Sequence, residues 1–356
     1  MKNDPNIIKI GNRLIGEDRP VFIIAELSGN HLQDYNLAVK TIKAMKKAGA
    51  DAVKLQTYTA DTITIDCDKK HFQITQGTIW DGTTLHKLYQ QAHTPWEWQP
   101  KLKKLADELG IILFSSPFDP SSIDFLEKMN VPAYKVASLE IGDHGLIEAM
   151  ARTGKPIIIS TGVATSEDIT EAIRVCRKAG NEQVAILKCT SAYPTPMEEL
   201  NLKTIPDIAQ KFKVVAGLSD HTMGSTITVA AVALGAKIIE KHFILDRKLG
   251  GPDGSFSMEP LEFRQMVDQI RDVEKALGKV NYELTPKAKK SRQHSRSLFV
   301  VADIKKGEKF TTENVRSIRP GFGLAPKFIN DVIGAQAKRN IKRGDPLKKQ
   351  DYQWNT

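Results

Sequence analysis

From Val21 to Gly278 the sequence repeats one local pattern, a short apolar run rich in Val and Ile followed by a stretch whose apolar residues have helical spacing. That alternation favours strands buried on both faces, each followed by a covering helix, and therefore a parallel sheet. Eight runs fit: 21–27 (VFIIAEL), 52–58 (AVKLQTY), 111–118 (IILFSSPF), 133–138 (AYKVAS), 156–161 (PIIIST), 184–190 (VAILKCT), 214–219 (VVAGLS) and 236–243 (AKIIEKHF). Between them YNLAVKTIKAMKKAG and PWEWQPKLKKLADELG read as helices, the second stopped at Gly110, and PLEFRQMVDQIRDVEKALG reads as the closing one. Eight such units in this length predict an α/β fold, a (β/α)8 TIM barrel over residues 1–280. An open doubly wound sheet is the alternative, weakened because no G-x-G-x-x-G turn follows the first strand.

Beyond the repeat the pattern changes. Residues 281–295 are polar and basic and read as a linker, and residues 296–356 carry short strand signals with turn-type glycines (KKGEKF, KRGDPL), a small β-rich domain. The net charge of +9 is local: residues 278–356 hold 18 Lys and Arg against 7 Asp and Glu, which leaves −2 for the rest. That basic region has no RNA-binding, zinc-finger or long basic-helix pattern, so the charge suits an anionic small substrate or an acidic partner surface, not nucleic acid. No run approaches the roughly 20 apolar residues of a membrane span. The N-terminal stretch lacks an export or import signal, and the three cysteines, Cys67, Cys176 and Cys189, have no metal or disulfide spacing, so the expectation is a cytoplasmic protein with reduced thiols.

In a barrel of this kind the site lies at the C-terminal ends of the strands, and nearly every run here closes on polar residues. Glu26 ends the first, Lys54 and Gln56 lie in the second, Ser115 and Ser116 end the third, and Lys135 and Ser138 the fourth. Ser160 and Thr161, then Thr190 and Ser191, end the fifth and sixth; Ser219, Asp220 and His221 the seventh; Glu240 and His242 the eighth. A single serine there is usually a cap or a turn residue. Two lysines inside buried strands are different, because a buried ammonium is costly unless it meets an anion. Lys54 and Lys135, with hydroxyls from several strands, therefore suit a phosphate with an adjoining carboxylate. His221 and His242 close adjacent strands beside Asp220 and Glu240 and could share one divalent metal with open positions. Glu26 would face a cationic pocket, stay ionised and serve as a general base. The Ser-Asp-His run is not a hydrolase triad, since neighbouring side chains on a strand point to opposite faces.

The segments AELSGNH, AVKLQTY, AYKVAS, ISTG, CTSAYPTP, GLSDHT, IIEKHF, GGPDGSFSMEP and SIRPGFG, in that order across the whole chain, resemble the sialic acid synthase family, whose members join a barrel to an antifreeze-like (SAF) domain. GTIWDGTTLHKLYQQAHTPWEW and ELSGNH look most like the pseudaminate branch, with the N-acetylneuraminate and legionaminate branches of the same family as the alternatives. The resemblance implies condensation of phosphoenolpyruvate, water and an open-chain N-acetylated amino sugar, 2,4-diacetamido-2,4,6-trideoxy-altrose in that branch, to a nonulosonic acid and phosphate. It implies a divalent metal, Mn2+ or Mg2+, on His221 and His242, with Glu26 as base. By motif, Lys54, Lys135, Ser138, Ser160 and Ser219 would hold phosphoenolpyruvate, and Glu140, Tyr193 and Asp253 would face the sugar. Arg319 would reach the sugar from the SAF domain of the partner in a homodimer. Ser191 departs from the sialic branch, which has asparagine there, so that contact falls to a hydroxyl. The segment from Thr59 to Trp96 also differs, and Gln76 or Thr78 are candidates for ligand contacts within it. The rival chemistry is a Schiff-base aldolase using Lys54 or Lys135, and the rival class is a non-catalytic carbohydrate- or ice-binding protein.

Overall fold

A computed structural model describes residues 6–354 apart from Gln76 and Pro194. The chain divides into two compact units, Met1–Gly278 and Lys279–Thr356.

The first unit is a closed barrel of eight parallel strands: β1 (Phe22–Glu26), β2 (Ala52–Thr57), β3 (Ile112–Pro117), β4 (Tyr134–Val136), β5 (Ile157–Ser160), β6 (Val184–Cys189), β7 (Val215–Asp220) and β8 (Ile238–His242). They pair in chain order, and β8 closes onto β1 with His242 opposite Glu26. The outer helices are α1 (Tyr35–Lys47), α2 (Gln99–Glu108), α3 (Pro120–Lys128), α4 (His144–Arg152), α5 (Ser166–Lys178), α6 (Thr204–Phe212), α7 (Thr226–Ala233) and α8 (Pro260–Leu277). α1 shows why these segments are helical. Asp34 caps it by accepting from Asn36 N at 2.7 Å and Leu37 N at 3.2 Å. Ala38, Thr41, Ile42 and Met45 are the residues it buries, a stripe three to four apart that faces the strands. Gly110 follows α2 with a φ of 63°, the left-handed stop that its position suggested.

One element escaped the sequence reading. Ile7–Ile10 and Arg13–Gly16 form an antiparallel hairpin whose Ile8, Ile10 and Ile15 are buried in the barrel core. It lies at the N-terminal ends of the strands, where Lys9 N reaches Gln183 just before β6. The signal was present, since IIKI-GN-RLIG is two apolar runs around a two-residue turn. At the opposite end the strands stop short of helices and leave a mouth lined by their last residues.

The second unit pairs Ser297–Val300 with Val315–Ile318 and Gln336–Ala337 with Tyr352–Gln353, all antiparallel, around Leu298, Phe310, Val315, Ile341 and Leu347. Gly307 and Gly344, the glycines of KKGEKF and KRGDPL, have φ values of 88° and 92°, which the turns require. The polar stretch read as a linker contains a short helix, Pro286–Arg292, started by Thr285 accepting from Ala288 N at 3.1 Å. A Thr-Pro start signal outweighs the absence of apolar periodicity there. Among the described residues no helix is long and apolar enough to cross a membrane.

Candidate active site

The period-2 alternation of the strands decides what faces the mouth. On β2 it sends Lys54 and Gln56 inward; on β7, Ser219 and continuing to His221; on β8, Glu240 and His242. Asp220 and Lys241 lie on the other parity and stand opposite each other in register, both with fully buried side chains, 2.5 Å apart. Thr222 N and Oγ1 also donate to Asp220, at 2.9 and 3.1 Å. Asp220 is therefore a structural ion-pair partner and not a carboxylate beside the histidines. Removing it strands a buried ammonium, so Asp220→Ala is expected to lose about 3 kcal/mol in urea unfolding, with Lys241→Met in the same chain restoring most of it.

Two lysines meet at the centre of the mouth. Lys54 Nζ is 2.6 Å from Glu26 Oε2 and 3.4 Å from Glu240 Oε1, and Lys135 Nζ is 3.8 Å from that same oxygen. Lys135 also donates to Ser160 Oγ at 2.6 Å, and Ser219 Oγ donates to Glu240 at 2.9 Å. Glu240 is thus the internal counterion of the cradle. Burial pushes its carboxyl up, but Lys135 and Lys54 outweigh burial and hold it below the usual range. Burial lowers Lys54 to about 8, with Glu240 opposing. Glu26 completes the cluster, accepting from Gln56 Nε2 at 3.2 Å. An incoming dianion would take over the lysines from Glu240.

Around the cradle, Gly162 N donates to Ser138 Oγ at 3.1 Å. A Cβ on Gly162 would fall 1.9 Å from Ser191 Oγ and 2.8 Å from Ser138 Oγ, so only glycine lets these two hydroxyls share this corner. Glu140 follows on the same turn; burial raises its carboxyl to about 7 against the pull of Lys135. Its Oε2 is buried without a hydrogen-bond partner among the described residues.

The histidines form the other half of the mouth, with ring centroids 5.3 Å apart. His221 Nδ1 lies 3.1 Å from the Thr190 carbonyl, which fixes the proton on that nitrogen and turns the Nε2 lone pair toward Tyr193 OH, 3.3 Å away. Burial, then the charges of His221 and Lys54, hold His242 well below its ordinary value, so it is a neutral imidazole with a free lone pair. His242 Nδ1 is buried without a hydrogen-bond partner among the described residues and is 4.0 Å from Asp253 Oδ2. Asp253 accepts from Ser28 Oγ. Among the described residues no three His, Cys, Asp or Glu side chains form a ready-made metal cage. Two imidazoles, His242 held neutral and His221 raised against burial by Cys189 and the Thr190 carbonyl, with a carboxylate nearby nevertheless suit a divalent ion that would displace any proton on Nε2 and keep positions open for substrate and water. Asp253, and not Asp220 or Glu240, is the carboxylate beside them.

The profile of the NeuB family matches residues 41–282. The chain belongs to the NeuB family. A SAF domain matches residues 295–353. The chain is 46% identical to pseudaminic acid synthase of Campylobacter jejuni, covering 97% of this chain and 100% of that one. It is also 46% identical to pseudaminic acid synthase of Helicobacter pylori, over 94% and 98%. Among solved structures, the N-acetylneuraminic acid synthetase of Leptospira borgpetersenii superposes with a TM-score of 0.72 at 32% identity, covering 80% of this chain and 94% of that one.

On this NeuB chain the barrel mouth gathers Glu26, Lys54, Lys135, Ser138, Glu140, Ser160, Ser191, Tyr193, Ser219, His221, His242 and Asp253. Arg319 belongs to the SAF domain, exposed just after the strand Val315–Ile318. Thr78 is turned toward Asp81, and Gln76 lies outside the described residues. Sequence reasoning left out Glu240 as counterion, Ser28, Gly162 and Cys189. Cys189 stands opposite Ser219 in register and so faces inward. Burial alone would raise its thiol; His221 and Ser138 outweigh that and bring it to about 7. Strand parity alone pointed to Cys189 and Glu240.

Proposed function

We propose that this NeuB chain condenses phosphoenolpyruvate, open-chain 2,4-diacetamido-2,4,6-trideoxy-L-altrose and water to pseudaminic acid and inorganic phosphate. The observation that carries the reading is a two-lysine anion cradle on β2 and β4 facing paired imidazoles after β7 and at the end of β8, within one barrel mouth. Identity of 46–47% to pseudaminic acid synthases selects the sugar.

In this reading Lys54 and Lys135, with Ser138, Ser160, Ser191 and Ser219, hold the phosphate and carboxylate of phosphoenolpyruvate, displacing Glu240 from the ammonium groups. His221 and His242 would hold a divalent metal, Mn2+ or Mg2+, which when bound supplies Lewis-acid polarisation of the aldehyde oxygen. Tyr193 and Asp253 orient the sugar. A carbon–carbon bond forms between the methylene carbon of phosphoenolpyruvate and the aldehyde carbon. The cation left at the adjoining carbon is stabilised by Glu26 and captured by water, whose proton passes to Glu26 and balances the one taken up by the former aldehyde oxygen. The bond from that carbon to the phosphate oxygen then breaks as the new hydroxyl collapses to the ketone, the electron pair leaving with phosphate, which takes up the hydroxyl proton. Glu140, whose carboxyl burial raises to about 7, faces the sugar with Tyr193 and Asp253. The chain acts in the cytoplasm as a homodimer, with Arg319 of one copy's SAF domain covering the other copy's site.

Carbon–oxygen cleavage distinguishes this chemistry. Phosphoenolpyruvate labelled with oxygen-18 at the bridging position should release phosphate that keeps the label. Unlabelled phosphate, or a pyruvate adduct trapped on lysine by borohydride, would favour phosphoryl transfer or a Schiff-base aldolase instead.

A further inference from the structure

The segment between β2 and α2 builds part of the mouth that strand ends do not provide. Its turn is organised by Asp81, which accepts from Gly77 N at 2.9 Å, Thr78 N at 2.8 Å and Thr78 Oγ1 at 2.9 Å. Gln73 and Thr84 pair across the base of the turn. The turn presents a half-buried Trp80. Its indole N–H donates to the Pro252 carbonyl at 2.8 Å, directly before Asp253. Its ring meets Tyr193 edge-on, with centroids 5.2 Å apart. Tyr193 in turn packs on His221 at 4.7 Å, so an aromatic wall leads from the imidazoles outward to Trp80.

We propose that Trp80 is a specificity-determining residue, the outer panel of the sugar subsite, which takes the 6-deoxy methyl end of the substrate and disfavours a hydroxyl there. The inference rests on the proposed function, which puts the aldehyde end at the imidazoles. Five carbon–carbon bonds of about 1.5 Å then place the far end of an open-chain sugar roughly 6 Å away, within reach of an indole two ring-to-ring steps from His221. An indole face gives a methyl group contact area but offers a hydroxyl no partner for the water it loses. An apolar surface rejects an added hydroxyl by about a hundredfold at most, and this bounds the effect.

The test compares the diacetamido-trideoxy sugar with its 6-hydroxy counterpart on the full chain with manganese, by steady-state kinetics and by calorimetric titration of sugar in the presence of phosphoenolpyruvate. Trp80→Ala should raise the sugar KM about tenfold and lower the 6-deoxy preference about tenfold or more, with the KM for phosphoenolpyruvate unchanged. Trp80→Phe should keep most of the preference. A merely structural tryptophan would instead lower the melting temperature and shift both KM values while leaving the preference intact. An unchanged preference in a folded Trp80→Ala chain overturns the assignment and leaves the synthase activity standing. A wild-type chain that binds the 6-deoxy sugar selectively yet releases no phosphate overturns the activity and leaves the subsite standing. A wild-type chain that binds neither sugar overturns both.

Discussion

Lys135→Met should raise the KM for phosphoenolpyruvate about a thousandfold while the chain still folds. Losing one charged partner of a desolvated anion typically costs about 4 kcal/mol, and about 1.4 kcal/mol is a factor of ten. Folding is spared because Glu240 keeps Lys54 at 3.4 Å and Ser219 at 2.9 Å. Lys54 would be the harsher site, since it also neutralises Glu26 at 2.6 Å. Lys54 instead writes a pH signature. Its free-enzyme value is lowered to about 8, so it loses its positive charge as pH rises through that point. kcat/KM for phosphoenolpyruvate should therefore fall above about pH 8, while kcat at saturation holds to higher pH because the bound anion keeps the ammonium protonated. A kcat/KM that climbs through the same range would mean Lys54 acts as a neutral amine, as an aldolase lysine does.

His242→Ala is expected to cut turnover about a thousandfold, the scale of several kcal/mol that Lewis-acid polarisation supplies. Binding of phosphoenolpyruvate should survive, because the cradle is built from β2, β4 and β5 and the ion pairs of its lysines run to Glu26 and Glu240, with Lys135 donating to Ser160. Metal titration should show weakened manganese affinity in the same variant. Turnover within tenfold of wild type, insensitive to chelator, would remove the imidazole pair from the chemistry. His242 joins the β1–β8 ladder through its backbone, which alanine keeps, so loss of fold is not the expected route to inactivity.

The barrel was legible because its strands obey a strict rule: apolar runs buried on both faces, each followed by an amphipathic stripe such as Ala38, Thr41, Ile42 and Met45. Lys54, Lys135, His221 and His242 were legible for the complementary reason, as polar residues that break that rule at strand ends. What stayed hidden depends on register and on loops. Parity says that Asp220 and His221 face opposite ways, but only the β7–β8 register names Lys241 as the partner of Asp220. Glu240 looked like a companion of His242 because they are two residues apart; the reach of Lys54 and Lys135 across the mouth made it a counterion. Trp80 sits in a turn held by Asp81, with no periodicity to betray where its ring points. Gly162 was visible only as the last letter of ISTG until the hydroxyls of Ser138 and Ser191 closed around it.

The most direct test is phosphate release from phosphoenolpyruvate with manganese, run in parallel with 2,4-diacetamido-2,4,6-trideoxy-L-altrose, N-acetylmannosamine and the diacetamido-trideoxy-mannose that leads to legionaminate. Release with the altrose sugar alone is the expected result. Release with either other sugar in preference would keep the condensation and contradict the pseudaminate assignment, and release with none from a folded, metal-loaded chain would contradict the synthase reading itself.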